Sequence, residues 1–255
     1  MSQNDKNFDS RVVTFKKNIY GTGKGKIREA VLMRDLTELL ANKDTLSILD
    51  IGGGQGQIAL QLAQLGHKVT ITDISSEMLS IAKEQVERVN IEGVRLIHCP
   101  LQQLDEHLDE KFDLVLCHAV FEWLDDPKSA LETLKYFCKK DGTISLMFYN
   151  HVGQTLSNLI YGNFDYIKAG MKAKKVVKLN PQSSINPDAL FAWCNSLNLK
   201  VFSKTGVRCF HDYIRDISKW ESDFEQILEM ELEYSKLEPY ANIARYMHLL
   251  IKHGT

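Results

Sequence analysis

The sequence predicts an α/β fold: a mostly parallel, seven-stranded sheet with helices on both faces. Two observations carry this. From Leu46 onward, short runs rich in Val, Ile and Leu alternate with segments of helical spacing, the pattern of strand–helix–strand units joined by right-handed crossovers. The chain also has 255 residues and 44% hydrophobic content, enough for one large core, so residues 1–255 are expected to form one domain carrying an insertion.

The elements follow in order. "LSILDI" is the first strand and ends in a glycine cluster; "QIALQLAQLG" has helical spacing and is closed by Gly66. "HKVTITDI" is the second strand, and "SSEMLSIAKEQVERV" starts with serine caps and continues as a helix. "VRLIHC" is the third strand, and "KFDLVLCHAV" is continuously apolar, as a buried parallel strand requires. "PKSALETLKYFCKK" places Pro127 in a first helical turn and is expected to stop at Asp141–Gly142. "TISLMFYN" is the fifth strand. Residues 150–187 then lose the rhythm and are read as a partly helical insertion. "PDALFAWCNSLN" resumes as a helix, "LKVFSKTG" is the sixth strand and "ARYMHLLIKH" the last.

Charge is unevenly placed in a chain of net charge −2. Arg11 to Arg28 holds six basic residues and no acid, and Lys168 to Lys178 holds five lysines and no acid. Two such arms make a patch suited to an anionic partner, although each alone reads equally as a solvated face. Glu221 to Glu238 holds seven acids at helical spacing with Phe224, Ile227 and Leu228, which predicts an amphipathic surface helix. The five cysteines, Cys99, Cys117, Cys138, Cys194 and Cys209, contain no C-x-x-C pair and are expected to be reduced and mostly buried. No run of about 18 apolar residues is present to span a membrane. "MSQNDKNFDSR" lacks a signal-peptide apolar region, so a cytoplasmic location is expected.

Ligands of parallel sheets bind beyond the carboxyl ends of the strands. That edge holds Gly52 to Gly56, Asp73, Leu101, Gln102, His118 and Asn150. In "LDIGGGQG" the glycines stand at 52, 54 and 56. A dinucleotide loop needs a third glycine at 57, where Gln57 stands, and a triphosphate loop needs a lysine after Gly56. What remains resembles the D-x-G-x-G-x-G loop of Rossmann-like class I S-adenosylmethionine-dependent methyltransferases. Asp73, ending the second strand, suits the two hydroxyls of a ribose; the alternative is a cap on the next helix.

A narrower resemblance rests on longer stretches: "NIYGTGKGKIR", "LDIGGGQGQ", "HAVFEWL", "SLMFYNHVG", "GNFDYIKAGM", "KTGVRCFHDYIR" and "EPYANIARYMH". Together, from Phe8 to His248, they resemble the bacterial tRNA 5-carboxymethoxyuridine methyltransferase family. The resemblance implies S-adenosylmethionine as cofactor, held by Arg28, Gly52, Gly53, Asp73, Leu101, Gln102 and His118. It implies methylation of the carboxylate of 5-carboxymethoxyuridine at the wobble position of tRNA. Residues 11–43 are then an arm and helix covering the cofactor, with Arg28 paired to the methionyl carboxylate and the glycines before it bending a flap.

A carboxylate nucleophile is already ionised near neutrality, so positioning is the expected task and no general base or metal is expected. Tyr20, Tyr149, Arg208 and His211 are the candidate contacts to that carboxylate. Lys16, Lys17, Lys24, Lys168, Lys172, Lys174, Lys175 and Lys178 are the candidate phosphate contacts, with Phe164, Tyr166 and Tyr213 as stacking candidates. Two other readings stand beside this one: a methyltransferase of a small carboxylate or amine, and a tRNA-binding protein without turnover.

Overall fold

The computed structural model describes residues 21–171 and 183–254. Seven strands form one sheet: β1 (Ser47–Ile51), β2 (Lys68–Asp73), β3 (Val94–His98), β4 (Phe112–His118), β5 (Cys138–Tyr149), β6 (Leu199–Val207) and β7 (Tyr246–His253). Their order is β3-β2-β1-β4-β5-β7-β6, and β7 runs antiparallel to both its neighbours. The strand order reverses between β1 and β4, which opens a crevice at the carboxyl edge. Because β7 runs the other way, it starts at that same edge: Tyr246 lies opposite Tyr149 on β5 and Val207 on β6.

Side chains of each strand alternate between two layers. On one face Leu49, Val115, Leu146 and Leu249 pack with α4 (Pro127–Phe137) and α7 (Pro187–Ser196). On the other, Ile48, Leu114, Leu116 and Met147 pack with α1 (Gly23–Leu40), α2 (Gln57–Gln64) and α3 (Ser76–Val89). The remaining helices are short or peripheral: α5 (His151–Ile160), α6 (Phe164–Lys168), α8 (Lys219–Ser222), α9 (Phe224–Tyr234) and α10 (Glu238–Ile243). All five cysteines are buried and unpaired. Among the described residues no helix is long and apolar enough to cross a membrane.

Three expectations change. The helix begun by Pro127 ends at Phe137, and β5 starts at Cys138 with a register shift against β4. That shift lets Lys140 and Asp141 bulge outward without ending the strand. The acidic run is not one helix: α8 and α9 break at Asp223, α9 ends at Tyr234, and α10 starts separately at Glu238. Nor is α9 only a surface element, because Glu231 is fully buried. The "TGKGKIR" stretch forms the first turns of α1 rather than a bent flap, with the Thr22 hydroxyl accepting from Gly25 N–H at 3.3 Å. The segment after β5 is partly helical, as expected, and begins at once with α5, which Asn150 caps.

Candidate cofactor and substrate site

The crevice at the carboxyl edge gathers most of the expected cofactor residues. Arg28, Gly52, Asp73, Leu101, Gln102 and His118 line it, with Gly54, Met78 and Trp123. Gly52 sits at φ +67°, and a β-carbon there would meet Val120 Cγ2 at 2.5 Å; no other residue fits. Gly53 does not line the crevice. Its missing β-carbon makes room for Asp50 Oδ2, at 2.5 Å from that position, and for Ile71. The residue sequence reasoning understated is Gly54, whose N–H donates to Asp73 Oδ2 at 2.8 Å.

Asp73 is held from two sides, since Oδ1 also accepts Ser75 N–H at 2.8 Å. It is not the helix cap: Ser75 is, accepting Met78 N–H at 3.2 Å. Asp73 is thus oriented by the loop with its carboxylate at the crevice wall. Asp50 is buried beneath the loop, and burial followed by the charge of Asp73 pushes its pKa up to about 7.

His118 is fixed by a buried chain of hydrogen bonds. Its Nε2 meets Ser145 Oγ at 2.9 Å, Ser145 Oγ meets His248 Nε2 at 2.8 Å, and His248 Nδ1 meets Asp35 Oδ2 at 2.9 Å. Asp35 is in turn held through Oδ1 by Arg34 Nε and Nη2 at 3.0 and 2.7 Å. Ser145 has one hydroxyl proton, so one imidazole Nε2 accepts it and the other must donate to Oγ. Burial first, then the charges of His248 and Arg28, hold the His118 pKa well below its ordinary value. His118 therefore stays neutral, which suits a site for a cation. Burial alone would raise the Asp35 pKa, but the bond and charge of His248, with Arg34, hold it well below the usual carboxylate range.

A second group of side chains surrounds the start of β7. Arg208, in the left-handed region at φ +63°, grips Asp212 through Nε at 2.7 Å and Nη2 at 2.5 Å. Burial would raise the Asp212 pKa, and Arg208, Lys24 and Arg245 hold it low. The turn is clamped from below by Glu231, which accepts the N–H groups of Cys209, Phe210 and His211 at 2.7, 2.8 and 3.0 Å. The Tyr246 ring lies 5.1 Å from the Arg28 guanidinium carbon and 5.7 Å from that of Arg208. It also touches the Tyr149 ring at 5.6 Å, over which Arg245 stands at 4.8 Å.

The expected substrate contacts divide accordingly. Tyr149 is buried at this edge, and burial raises its pKa. Arg208 is there but committed to Asp212. His211 faces a neighbouring depression between the start of α1 and α8–α9, stacked on Trp220 at 4.6 Å. Tyr213 is anchored by its hydroxyl, which donates to Ile243 O at 2.8 Å and Gly153 O at 3.2 Å. Asn150 is likewise fully engaged: its amide donates to Asn242 O and Ala244 O at 2.8 and 2.9 Å.

Lys24 is half-buried, 3.7 Å from Asp212 and 4.6 Å from the Trp220 ring centroid, whereas Lys168 and Phe164 are exposed. Lys16, Lys17, Tyr20, Lys172, Lys174, Lys175 and Lys178 lie outside the described residues. Sequence reasoning missed Arg245 and Tyr246, because a residue preceding a final strand reaches the functional edge only if that strand runs antiparallel.

A methyltransferase-domain family matches residues 49–146. The tRNA 5-carboxymethoxyuridine methyltransferase of Escherichia coli K12 is 41% identical over 248 residues, covering 96% of this chain and 95% of that protein. The ubiquinone biosynthesis O-methyltransferase of Haemophilus ducreyi is 28% identical over 168 residues, 60% of this chain and 64% of that protein. Among solved structures, a magnesium protoporphyrin IX methyltransferase from Synechocystis, with bound SAH, superposes with a TM-score of 0.67 at 15% identity. It covers 97% of this chain and 96% of its own. The CcbJ methyltransferase of Streptomyces caelestis gives 0.63 at 16% identity over 98% and 99%. Both confirm the class I methyltransferase fold.

Proposed function

We propose, from the premise that the chain belongs to the tRNA 5-carboxymethoxyuridine methyltransferase family, that it methylates the carboxylate of 5-carboxymethoxyuridine in tRNA, using S-adenosylmethionine. The observation that carries this reading is Arg28. Its guanidinium lines the crevice, its Nε is buried without a hydrogen-bond partner, and it has no ion pair among the described residues. A buried donor left open costs about 1–3 kcal/mol. A methionyl carboxylate would fill it with charge-assisted bonds.

The rest of the crevice fits the same cofactor. Asp73 would take the ribose hydroxyls, Leu101 and Gln102 would flank the adenine, and Gly52 would let backbone approach the methionyl part. When bound, S-adenosylmethionine supplies a methyl on a sulfonium, whose C–S bonding electrons stay on sulfur as the new O–CH3 bond forms.

The chain's own work is positioning. The substrate carboxylate, with a pKa of roughly 4, is an anion at neutral pH, so no proton has to be removed. His118, kept neutral, would add no positive charge to the crevice that receives the sulfonium. The touching rings of Tyr149 and Tyr246 stand between Arg28 and Arg245 and would limit water at the edge where substrate meets cofactor. Excluding water and fixing the approach of the two reactants supplies much of the rate. The segment 11–43 would cover this space. Lys168 and the lysines at 16, 17, 172, 174, 175 and 178 would meet tRNA phosphates.

The test is incubation of the pure protein with labelled S-adenosylmethionine and tRNA bearing 5-carboxymethoxyuridine, beside the unmodified transcript and the free modified nucleoside. Base-labile label entering only the modified tRNA is expected. Equal labelling of the nucleoside would make the basic segments bystanders and favour a small-carboxylate enzyme. No label in any sample, with the cofactor bound, would sink the substrate assignment.

A further inference from the structure

We infer that Arg245 receives the substrate carboxylate and sets specificity for an acidic wobble base; this rests on the function proposed above. The argument begins with charge. Four cations, Lys24, Arg28, Arg208 and Arg245, surround the edge where β7 starts, and Asp212 interacts with Lys24, Arg208 and Arg245. Two of the four are already committed to that carboxylate, Arg208 by a two-bond fork and Lys24 at 3.7 Å. Arg28 and Arg245 have no ion pair among the described residues. The reaction brings two carboxylates to this edge, one on the cofactor and one on the base. Two arginines stand ready for them.

The rings decide which takes which. Arg28 lines the cofactor crevice and stands over Tyr246. Arg245 stands over Tyr149 instead, and the two rings touch. The two guanidiniums are thus held on adjoining aromatic faces, one at the cofactor and the other beyond it. A guanidinium held over a ring can still present N–H groups to a carboxylate and grip it by a fork. A carboxylate has about four lone-pair sites; a fork occupies two and leaves others for the methyl.

The main chain around Arg245 is also built. Its N–H donates to Arg208 O at 3.1 Å, and its carbonyl accepts from Asn150 N–H at 3.1 Å. The Arg208 turn, strained at positive φ and clamped by Glu231 and Asp212, therefore sets the position of Arg245 rather than touching substrate itself. Arg208 is a positioning residue and Arg245 the contact.

The discriminating experiment compares two tRNAs, one carrying 5-carboxymethoxyuridine and one carrying 5-methoxyuridine, which lacks the carboxylate. Wild type is expected to bind the first more tightly, by about 10- to 100-fold, the range of a charged hydrogen-bonded pair. Arg245→Gln should erase that difference while leaving affinity for S-adenosylhomocysteine and for the 5-methoxyuridine tRNA unchanged, and should lower methylation kcat/KM by a similar factor. Arg245→Lys should restore part of the difference. A difference that persists in Arg245→Gln would overturn the inference. So would loss of affinity for both tRNAs together, the mark of a structural role. Wild-type turnover of the first tRNA is measured alongside. Its absence would fail the function proposed above, whereas its presence with an unaltered Arg245→Gln would fail this inference alone.

Discussion

Replacing Ser145 with alanine tests whether the buried chain from Asp35 to His118 organises the cofactor site. Ser145 is fully buried and bridges two imidazole Nε2 atoms at 2.9 and 2.8 Å. The variant removes one hydroxyl but leaves two buried ring nitrogens without a partner. Each orphan costs about 1–3 kcal/mol, partly offset by the easier burial of a methyl, so a destabilisation of roughly 2–4 kcal/mol is expected. Urea unfolding should show it as a lower midpoint with an unchanged slope. Binding should change as well, because the released His118 ring lines the crevice; calorimetry with S-adenosylhomocysteine should show weaker affinity in Ser145→Ala. A midpoint and an affinity both equal to wild type would refute the reasoning, since the two bridged bonds would then carry neither stability nor orientation.

Other perturbations separate the remaining parts. Glu231→Gln swaps an acceptor for an amide donor facing backbone N–H groups at 2.7 to 3.0 Å, and should cost about 2–3 kcal/mol in urea unfolding together with a loss of turnover through the Arg208 turn. Arg28→Gln should weaken S-adenosylhomocysteine binding by about 10- to 100-fold, measured calorimetrically, with little change in unfolding midpoint. Asp50→Asn should flatten the pH dependence of stability. Burial, then Asp73, raises the folded pKa of Asp50 from 3.8 to about 7, so the folded state holds its proton more tightly. Its contribution is full below pH 4 and lost as pH rises to about 7, worth up to about 4 kcal/mol; Asp50→Asn should gain on wild type at pH 8 and match it near pH 4. Methylation should also fall steeply with added salt if the lysine-bearing segments meet phosphates, and a flat salt profile would remove them from the substrate path.

The centre of the sheet was legible because its strands are buried on both faces and therefore read as apolar runs, as in "LVLC" of β4, whereas the edge strands β3 and β6 are partly exposed. The cofactor loop was legible for a different reason: only glycine tolerates the backbone at Gly52, so the chemistry leaves a mark in the letters themselves. What stayed hidden was polar and long-range. Asp35 and His248 are 213 positions apart, and Arg34 meets Leu232 and Ser235 about as far along the chain. Nothing local in "MRDL" or "YMHLL" marks those residues as partners. The acidic run misled for a similar reason, because spacing shows that a face is apolar without showing that Glu231 turns inward to hold a loop.

The same contrast explains how the substrate edge is assembled. A parallel sheet alone would offer only strand ends to a ligand, as at Gly52, Asp73 and His118. Inserting the antiparallel β7 between β5 and β6 brings a strand start to that edge, and with it Arg245 and Tyr246, beside Tyr149 and the Arg208 turn. The cofactor half is therefore built from strand ends near the β1–β4 switch, and the proposed substrate half from the β5–β7–β6 ladder. Their meeting point is Tyr246, which carries Arg28 on one side of the division and Arg208 on the other. His248, two residues on along β7, runs through Ser145 to His118 in the cofactor half. One antiparallel strand thus fixes the register between both halves, so a substitution that slips β7 should weaken cofactor and substrate binding together, whereas Arg28→Gln and Arg245→Gln should each weaken one.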